Sequence, residues 1–334
     1  MNSNQQQPSV SVIVTAFNQA SFIGDTLISV FAQTRQPSEV IVVNDGSTDD
    51  TEAKIAPFKH RIRYISQENH GVAAARNTGI QQARSEWLAF LDGDDLWEPQ
   101  KLAVQLEAAQ NYPEAGLVVV DGVQFSGDSI VDDSLLGVAV QERMRESSPD
   151  MLVIECYKEL LNANLIATTS QVMIPRVVFQ KVGLSDSRFR ICSDYDLYLR
   201  ISKIYPAVFI NRQLVRWRYL ASSASGPARL RSLRWIGDMI AVRKKHLNTI
   251  PLDYRDDVKR WIRRDLRDAI LEAYYYGHNV DRRWATWYLM TLFAQNPARI
   301  SIAAYLAGLW LPSRVHNFLR TISLRSMTKN GAAD

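Results

Sequence analysis

Three aspartates stand where a short apolar segment ends, and their side chains suit the binding of a metal ion. The segment runs from Trp87 to Leu91 and is followed by Asp92, Asp94 and Asp95. Its length and composition predict a buried β-strand. Neighbouring carboxylates repel one another, and no basic residue lies beside these three in the sequence. Because carboxylate oxygens select hard cations, the cluster predicts a site for Mg²⁺ or Mn²⁺.

The same residues also fit a purely structural role. Gly93 lets the backbone turn so that Asp92 and Asp94 face one side, as a cation site requires. An acidic turn after a strand has the same pattern, with Asp94 or Asp95 capping a helix that begins near Pro99. The elements that position the aspartates therefore decide between the two interpretations.

Four apolar segments alternate with helical patterns in this part of the chain. The predicted strands cover residues 10–15, 40–43, 61–66 and 87–91. Because the strands are apolar along their length, both of their faces must be covered. The pattern predicts an α/β fold, with a mostly parallel, Rossmann-like sheet flanked by helices.

Polar segments lie at or beside the carboxyl ends of these strands. They cover residues 16–18, 44–47, 70–77 and 92–95. Open parallel sheets bind ligands at this edge, so the four segments together predict a ligand site. Neither GxGxxG nor GxxxxGK[ST] occurs in the sequence, which excludes the usual motifs of dinucleotide-binding and P-loop proteins.

Three residues of these segments have chemistry that suits a nucleotide. Asp45 can accept a hydrogen bond from a base N–H, although Asp45-Gly46 also fits a plain turn. Gly71 permits close approach of a ligand to the backbone. Arg76 can meet a phosphate through its guanidinium group, and its alternative role is a solvated charge on a helix.

The chain beyond the aspartates continues the α/β pattern. We predict a helix over 100–110, a strand over 117–120, a strand over 172–175 and a short helix over 177–182. Residues 121–150 are rich in Gly, Ser and Asp, which predicts a long loop over the site. Such a loop is a usual place for contacts with a substrate.

A second acidic cluster lies at the predicted start of a later helix, over residues 192–201. Ser193 is the expected cap of this helix. Asp194 and Asp196 either stabilise the helix N-terminus or supply a general base. Their spacing leaves both roles open.

Five segments, taken in order, resemble the family 2 glycosyltransferases of the GT-A fold. They cover residues 10–18, 42–51, 69–79, 90–95 and 193–200, and the resemblance extends over about residues 8–225. Members of that family transfer a sugar from a nucleotide diphosphate donor to a hydroxyl and invert the anomeric centre. The resemblance thus implies a metal-dependent hexosyltransferase, with a UDP-sugar as the favoured donor.

The resemblance also implies roles for individual residues. Contacts to the donor nucleotide fall on Thr15, Ala16, Asn18, Asp45, Gly71, Arg76 and Asp92. Asp94 is the implied ligand of a divalent cation, Mn²⁺ or Mg²⁺, and Asp92 lies beside it at the metal. Asp194 is the implied base that deprotonates the acceptor hydroxyl.

Three features depart from the family pattern or compete with it. The usual Glu-Asp pair is Ser193-Asp194 in this chain, which keeps the base and changes how the acceptor is held. Many members carry a His after the last sheet strand, where spacing places Leu220, so metal binding is expected to be weaker or completed by water. Residues 213–217 fit the QxxRW string of processive membrane synthases, but they lie in a predicted strand.

Composition and charge divide the chain into two regions. With 334 residues, 46% apolar and 22% charged, the chain is typical of a globular protein with one large domain or two ordinary ones. Residues 226–334 carry 19 Lys and Arg against 9 Asp and Glu, which leaves 20 and 26 for residues 1–225. We predict a catalytic domain over 1–225 and a basic helical region over 226–334.

The basic region predicts helices at about 230–247, 256–277 and 281–294, whose aromatic residues pack on the sheet domain. The apolar segment 300–311 is too short to span a bilayer. Arg314, Arg320 and Arg325 follow it among apolar residues, which predicts association with an anionic membrane surface. Nucleic acid is not an expected partner, because no recognised binding motif is present.

The cysteine content and the N-terminus predict the compartment. Cys156 and Cys192 are the two cysteines of the chain, which disfavours a disulfide framework or a zinc site. The first eight residues are polar and lack the apolar core of a signal peptide. We expect a cytoplasmic protein whose tail contacts the inner face of the membrane.

These features together predict an inverting glycosyltransferase of cell-envelope polysaccharide or glycolipid synthesis, acting on a saccharide or lipid-linked acceptor. One alternative is a non-catalytic nucleotide-sugar-binding or scaffolding protein of the same fold. Another is a nucleotidyltransferase, which releases pyrophosphate instead of a nucleoside diphosphate. Asp45 alone favours UDP, and dTDP fits the same contact almost equally well.

Overall fold

The computed structural model describes residues 8–147, 150–220, 228–279, 286, 289 and 290. In these ranges the chain folds around one curled, mixed sheet with helices on both of its faces, and the predicted α/β fold is confirmed. The strands are β1 (Val10–Ala16), β2 (Glu39–Asn44), β3 (Arg63–Ser66), β4 (Trp87–Asp92), β5 (Leu96–Trp97), β6 (Leu117–Ser126), β7 (Ser129–Asp132), β8 (Met151–Ile154), β9 (Val172–Pro175) and β10 (Ala207–Arg218).

The helices are α1 (Ile23–Phe31), α2 (Thr51–Ile55), α3 (Val72–Gln82), α4 (Lys101–Asn111), α5 (Val138–Ser147), α6 (Tyr157–Asn162), α7 (Val178–Val182), α8 (Ser193–Ser202), α9 (Ala228–His246) and α10 (Leu252–Asn279). Helices α4, α7, α9 and α10 lie close to their predicted ranges, whereas α5 and α6 were not predicted. Single 3₁₀ turns cover Ala56–Phe58 and Thr169–Gln171.

The first four predicted strands form one side of the sheet, in the order β3-β2-β1-β4, and all three of their pairings are parallel. Alternate side chains of each strand enter different clusters of the core. Ile13 and Leu88 belong to one cluster, and Val12 and Leu91 belong to the other. This two-sided burial is why β1, β2 and β4 are largely apolar along their length, whereas β3 at the edge of the sheet is only half-buried.

The other side of the sheet departs from simple strand–helix alternation. β9 runs antiparallel between β4 and β6, and β10 pairs with β6 in parallel register. β5 and β8 each pair antiparallel with a different part of β10. A strand inserted far from its neighbours in sequence is fixed by tertiary pairing, which local composition does not encode.

The prediction of a long loop over residues 121–150 is wrong. β6 continues to Ser126, a hairpin leads to β7, and α5 follows. The buried carboxylate of Asp121 accepts hydrogen bonds from the backbone N–H groups of Gly122 and Leu135, and Ser134 Oγ donates to it as well. A composition typical of loops thus forms a strand because β10 and Asp121 satisfy its polar groups.

Helices α9 and α10 pack on the same core as the sheet. Met239 and Ile240 of α9 and Ile262 and Leu266 of α10 are buried in the cluster that also contains Ile13. Arg243 is buried as well, and it donates hydrogen bonds to two backbone carbonyls of α6 and pairs with Asp265 of α10. The predicted packing of the aromatic residues of the tail on the sheet domain stays a prediction, because the side chains of most of them lie outside the described residues.

The predicted helix at 281–294 lies outside the described residues except for 286, 289 and 290, and the apolar and arginine-rich segments at 300–325 lie wholly outside them. Among the helices that the structure does describe, none has the length and apolar character needed to cross a membrane. Cys156 and Cys192 are buried free thiols.

We expect substitution of Asp196 to have the largest effect on the stability of this part of the fold. Its fully buried carboxylate pairs with Arg200 at 3.0 Å, Lys245 at 2.7 Å and His246 at 3.0 Å. We expect Asp196→Asn to lower the free energy of unfolding by about 1.5–3 kcal/mol, because the partly exposed Lys245 and Arg200 lose a charged acceptor, although Lys245 keeps its ion pair with Asp186. Urea unfolding at pH 7 measures this loss.

The pH dependence of that unfolding gives a second readout. Burial acts to raise the pKa of Asp196, but hydrogen bonds from His246 and Lys245 and the charge of Arg200 outweigh it, so the pKa is lowered. Its stabilising effect is therefore present above the unfolded-state pKa and is lost as the pH falls through the folded-state pKa. Arg188→Ala, which removes an exposed surface ion pair, is the control and should change stability by less than about 1 kcal/mol. Equal losses in both variants would contradict the prediction.

Candidate active site

The parallel register brings the predicted site residues of three strands side by side. Thr15 lies opposite Asp92 on β4, and Ala16 lies opposite Asn44 at the end of β2. Asp45 follows Asn44, and its N–H donates to the carbonyl of Ala16 at 2.9 Å. The sheet therefore gathers these polar groups at its carboxyl edge, as the sequence predicts.

Asp92 and Arg76 form an ion pair at this edge. Arg76 Nη2 lies 2.7 Å from Oδ1 and 3.0 Å from Oδ2 of Asp92, and Thr15 Oγ1 donates to Oδ1 at 3.1 Å. The Arg76 side chain is largely buried, and its Nε makes no hydrogen bond. Burial acts to lower the pKa of Arg76, but the carboxylates of Asp92 and Asp194 raise it overall. A fixed positive charge therefore lies beside Asp92.

Asp45 holds the loop that leads into α3. Its buried carboxylate accepts hydrogen bonds from Gln67 Nε2 at 2.7 Å, the N–H of His70 at 3.1 Å and the N–H of Gly71 at 2.8 Å. Gly71 has φ of 88°, a left-handed conformation that favours glycine. Oδ2 accepts one of these three bonds, which leaves it room for one more donor such as a base N–H.

Asn18 joins two loops at the same edge. It has a left-handed φ of 53°, its Oδ1 accepts from the N–H of Thr48 at 2.8 Å, and its own N–H donates to Ser47 Oγ at 3.0 Å. The predicted contact of Asn18 with a nucleotide stays a prediction. The amide oxygen of Asn18 accepts a hydrogen bond that holds the two loops together.

The three aspartates after β4 have different environments. Asp95 is fully buried, where Ser170 Oγ donates to Oδ2 at 2.5 Å and the N–H of Arg218 donates to Oδ1 at 3.0 Å. Burial and the charges of Asp94 and Asp92 raise the pKa of Asp95 well above its ordinary value. Asp95 thus fixes the turn, and Asp94 is left nearer the surface.

The carboxylate of Asp94 is only partly neutralised by its surroundings. Burial and the charge of Asp92 raise its pKa to about 6. Gly93 shapes this turn, because a Cβ there would lie 2.9 Å from the carbonyl oxygen of Thr15. A cation would relieve the repulsion between the two carboxylates.

The residues present fit a divalent cation of the kind that binds a diphosphate. Within the described ranges, no group of three or more acidic, histidine or cysteine side chains forms a complete metal cage. Mg²⁺ is commonly held by one or two carboxylates with substrate phosphates and water completing its shell. Asp94, with Asp92 beside it, supplies that set.

Asp194 lies in the first turn of α8. Burial raises its pKa, the charge of Arg76 lowers it, and the charge of Asp92 raises it further, with a net increase. These mutual effects indicate that α8 brings Asp194 to the same edge as Arg76 and Asp92. The predicted base and the predicted donor-site residues therefore share one electrostatic environment.

The prediction that Ser193 caps α8 is wrong. The residue at the cap position is Cys192, which makes no side-chain capping bond, and Ser193 is the first helical residue. Ser193 Oγ is buried and makes no hydrogen bond. The N–H of Tyr195 donates to Asp194 Oδ1 at 2.7 Å, so Asp194 satisfies one of the free amides of the first turn.

Sequence reasoning missed Arg218 at the end of β10. Its guanidinium carbon lies 4.6 Å from the ring centroids of both Phe22 and Phe125, and Nε donates to the carbonyl of Asp94 at 2.9 Å. The charge of Arg218 lowers the pKa of Asp94, against the larger effect of burial. Leu220, where many family members carry a His, lies two residues further on, so an arginine near that position was the available signal.

Several known glycosyltransferases are similar to this chain in sequence. The putative teichuronic acid biosynthesis glycosyltransferase TuaG of Bacillus subtilis is 40% identical over 224 residues, which cover 66% of this chain and 82% of TuaG. An uncharacterized glycosyltransferase of Rickettsia prowazekii is 28% identical over 68% of this chain and 69% of its own length. In longer Rickettsia relatives the matched segment spans 31–35% of the relative.

The fold is similar to that of S. aureus TarS 1-349 crystallised in complex with UDP. The TM-score is 0.58 at 15% identity, with 92% of this chain and 82% of that chain covered. This likeness, the curled sheet and its polar carboxyl edge place the protein in the GT-A class. The family model described as glycosyl transferase family 2 matches residues 11–181. The chain belongs to glycosyl transferase family 2, and the predicted family and fold are confirmed.

Proposed function

We propose that this protein transfers a sugar from a UDP-sugar to an acceptor hydroxyl with inversion at the anomeric carbon. The observation that carries the proposal is the shared environment of Asp194, Arg76 and Asp92: the charges of Asp92 and Asp194 raise the pKa of Arg76, and the charge of Arg76 acts to lower the pKa of Asp194. An acceptor base and a leaving-group site within one edge are what a single displacement requires. Family membership supports the same activity, and solved TarS structures hold UDP and UDP-GlcNAc.

Different residues at the carboxyl edge of the sheet contact different parts of the donor. Asp45 offers its free acceptor position to a base N–H, and the Ala16–Asn18 loop and Gly71 form the backbone around the nucleotide. Arg76 neutralises Asp92, so that an anionic donor meets less repulsion at the edge. Arg218 adds a positive charge beside Asp94.

A divalent cation at Asp94 and Asp92 would supply charge neutralisation to the departing diphosphate. Asp94 and Asp92 would hold that ion, and Asp95 would keep their turn in place through Ser170 and the backbone of Arg218.

Asp194 accepts the proton of the acceptor hydroxyl as the oxygen attacks the anomeric carbon. Inversion places the acceptor on the face of the sugar opposite the diphosphate, so base and leaving group belong to different elements, α8 and the β4 turn. A raised pKa makes the Asp194 carboxylate a stronger base than an ordinary aspartate, which favours proton transfer near neutral pH.

TuaG is named as a putative teichuronic acid biosynthesis glycosyltransferase, and this supports a cell-envelope polysaccharide or glycolipid as the acceptor of the present protein. A cytoplasmic enzyme that elongates a lipid-linked acceptor would work at the membrane surface. The basic segment around Arg314–Arg325 is the proposed contact with that surface.

A panel of sugar nucleotides tests the proposed activity. The full chain is incubated with Mn²⁺, a UDP-, dTDP- or GDP-sugar and an envelope glycan acceptor, and nucleoside diphosphate release is followed above the background without acceptor. We expect release of UDP and transfer of its sugar with inverted configuration, as read by NMR of the product. Pyrophosphate release, retention of configuration or no transfer from any donor would contradict the proposal.

The pH dependence of turnover follows from the raised pKa of Asp194. The base is active when deprotonated, so kcat should rise with pH and reach its plateau only above the ordinary aspartate pKa of about 3.9. The profile is measured at saturating Mn²⁺ and donor, which keeps metal and nucleotide bound throughout. A kcat that stays flat down to pH 4 would contradict this role of Asp194.

A further inference from the structure

We propose that Asp238 of α9 is a positioning residue that fixes the start of α8 and, with it, the carboxylate of Asp194. The inference rests on the proposed function, because it assumes that Asp194 is the base. Asp238 lies outside residues 11–181, the part of the chain that the family model matches.

Asp238 accepts hydrogen bonds from the backbone at the start of α8, where the cap residue supplies no side-chain bond. The cap residue Cys192 makes no side-chain hydrogen bond to the first turn. Instead, Asp238 Oδ2 accepts from the N–H of Ile191 at 2.9 Å and from the N–H of Cys192 at 3.4 Å. A carboxylate at a helix N-terminus is also favoured by the helix dipole. These two amides lie three and two residues before Asp194 in the chain.

A second contact from α9 lies on the other side of Asp194. Asp196 Oδ1 pairs with Lys245 Nζ at 2.7 Å and lies 3.0 Å from His246 Nε2. One helix thus holds the chain at residues 191–192 and again at 196. Asp194 lies between the two contacts, so the position of its backbone depends on where α9 lies.

α9 itself is tied to the rest of the protein. Arg243 Nε donates to the carbonyl of Leu161 at 2.7 Å and Nη2 donates to the carbonyl of Asn162 at 2.6 Å, both on α6. Met239 and Val242 are buried in the core. These contacts would keep α9 in place without the Asp238 carboxylate. The amides of Ile191 and Cys192 would then lose their acceptor.

The position of the Asp194 carboxylate affects the rate of sugar transfer more than the affinity for the donor. The donor-site residues Asp45, Arg76 and Asp92 lie outside α8 and α9. A base displaced by about 1 Å can cost up to about a hundredfold in rate. Loss of Asp238 is therefore expected to lower kcat while leaving the donor KM and the Kd for UDP unchanged.

Three variants test the proposal. Asp238→Ala removes the acceptor, Asp238→Asn keeps one acceptor oxygen, and Leu266→Ala removes a buried apolar side chain of α10 and leaves Asp238 in place. We expect at least a tenfold loss of kcat in Asp238→Ala, recovery to within about threefold of wild type in Asp238→Asn, and wild-type kcat in Leu266→Ala. Unfolding in urea measures how far each variant is destabilised.

Hydrogen exchange separates this inference from the proposed function. In the full chain, Asp238→Ala should speed exchange of the amides at 191–196 by more than tenfold, and Leu266→Ala should not. If wild type shows no transfer activity, the proposed function fails, and the exchange result still decides whether Asp238 fixes α8. The inference is overturned if exchange at 191–196 is unchanged, if kcat is unchanged in Asp238→Ala, or if Leu266→Ala loses as much kcat at equal destabilisation.

Discussion

Asp194→Asn is expected to lower kcat by about 10²–10⁴-fold, because the amide cannot accept the proton of the attacking hydroxyl. The side chain keeps nearly the same size, and one oxygen still accepts the N–H of Tyr195, as Asp194 Oδ1 does at 2.7 Å. The fold of α8 and the donor site should therefore be retained. Initial rates of UDP release with acceptor measure the loss, and the donor KM should stay within about threefold of wild type.

Asp256→Asn is the matched control for this prediction. Asp256 is an exposed acid on α10 that pairs with Lys259 at 3.0 Å, away from the sheet edge, so the same chemical change should leave kcat unaltered. If Asp194→Asn kept wild-type turnover, or if it lost activity only through weaker donor binding, Asp194 would not be the base.

Asp94→Ala should lower the affinity for UDP in Mn²⁺ by about a hundredfold, which corresponds to about 2.7 kcal/mol. The variant removes the carboxylate that burial and Asp92 leave poorly neutralised, and with it the proposed contact between metal and diphosphate. Without Mn²⁺, variant and wild type should bind UDP with similar affinity. Chelation by EDTA should likewise abolish most turnover of the wild type, and added Mn²⁺ should restore it.

Tryptophan fluorescence titration with UDP measures both affinities. Asp128→Ala, which alters an exposed acid of the β6–β7 hairpin, is the control and should bind UDP like the wild type. A variant at Asp94 that still gained affinity from Mn²⁺ as strongly as wild type would show that the metal lies elsewhere. EDTA without effect on turnover would contradict metal dependence as a whole.

The donor side of the site follows closely from sequence, because it is built from local patterns. Strands β1, β2 and β4 are largely apolar segments followed by polar residues, and parallel pairing must bring those ends to one edge. Thr15, Asp45 and Asp92 are neighbours for that reason alone. Sequence spacing could not show that Arg76 pairs with Asp92, since the contact depends on how α3 packs against the sheet.

The acceptor side depends on contacts between distant parts of the chain. β9 enters the sheet between β4 and β6 in antiparallel register, and residues 121–126 become strand through pairing with β10. The backbone at the start of α8 donates hydrogen bonds to Asp238, more than 40 residues away along the chain. Local composition carries no record of these partners, which is why Ser193 was the natural but incorrect choice of cap.

Calorimetric titration of the wild-type chain with UDP, dTDP and GDP, each with and without Mn²⁺, tests the central claim most directly. We expect binding of UDP that Mn²⁺ strengthens, dTDP close to it, and weak or no binding of GDP, because its purine base is larger than a pyrimidine. Folded protein that binds none of the three nucleotides, with or without Mn²⁺, would contradict the assignment of this sheet edge as a donor site.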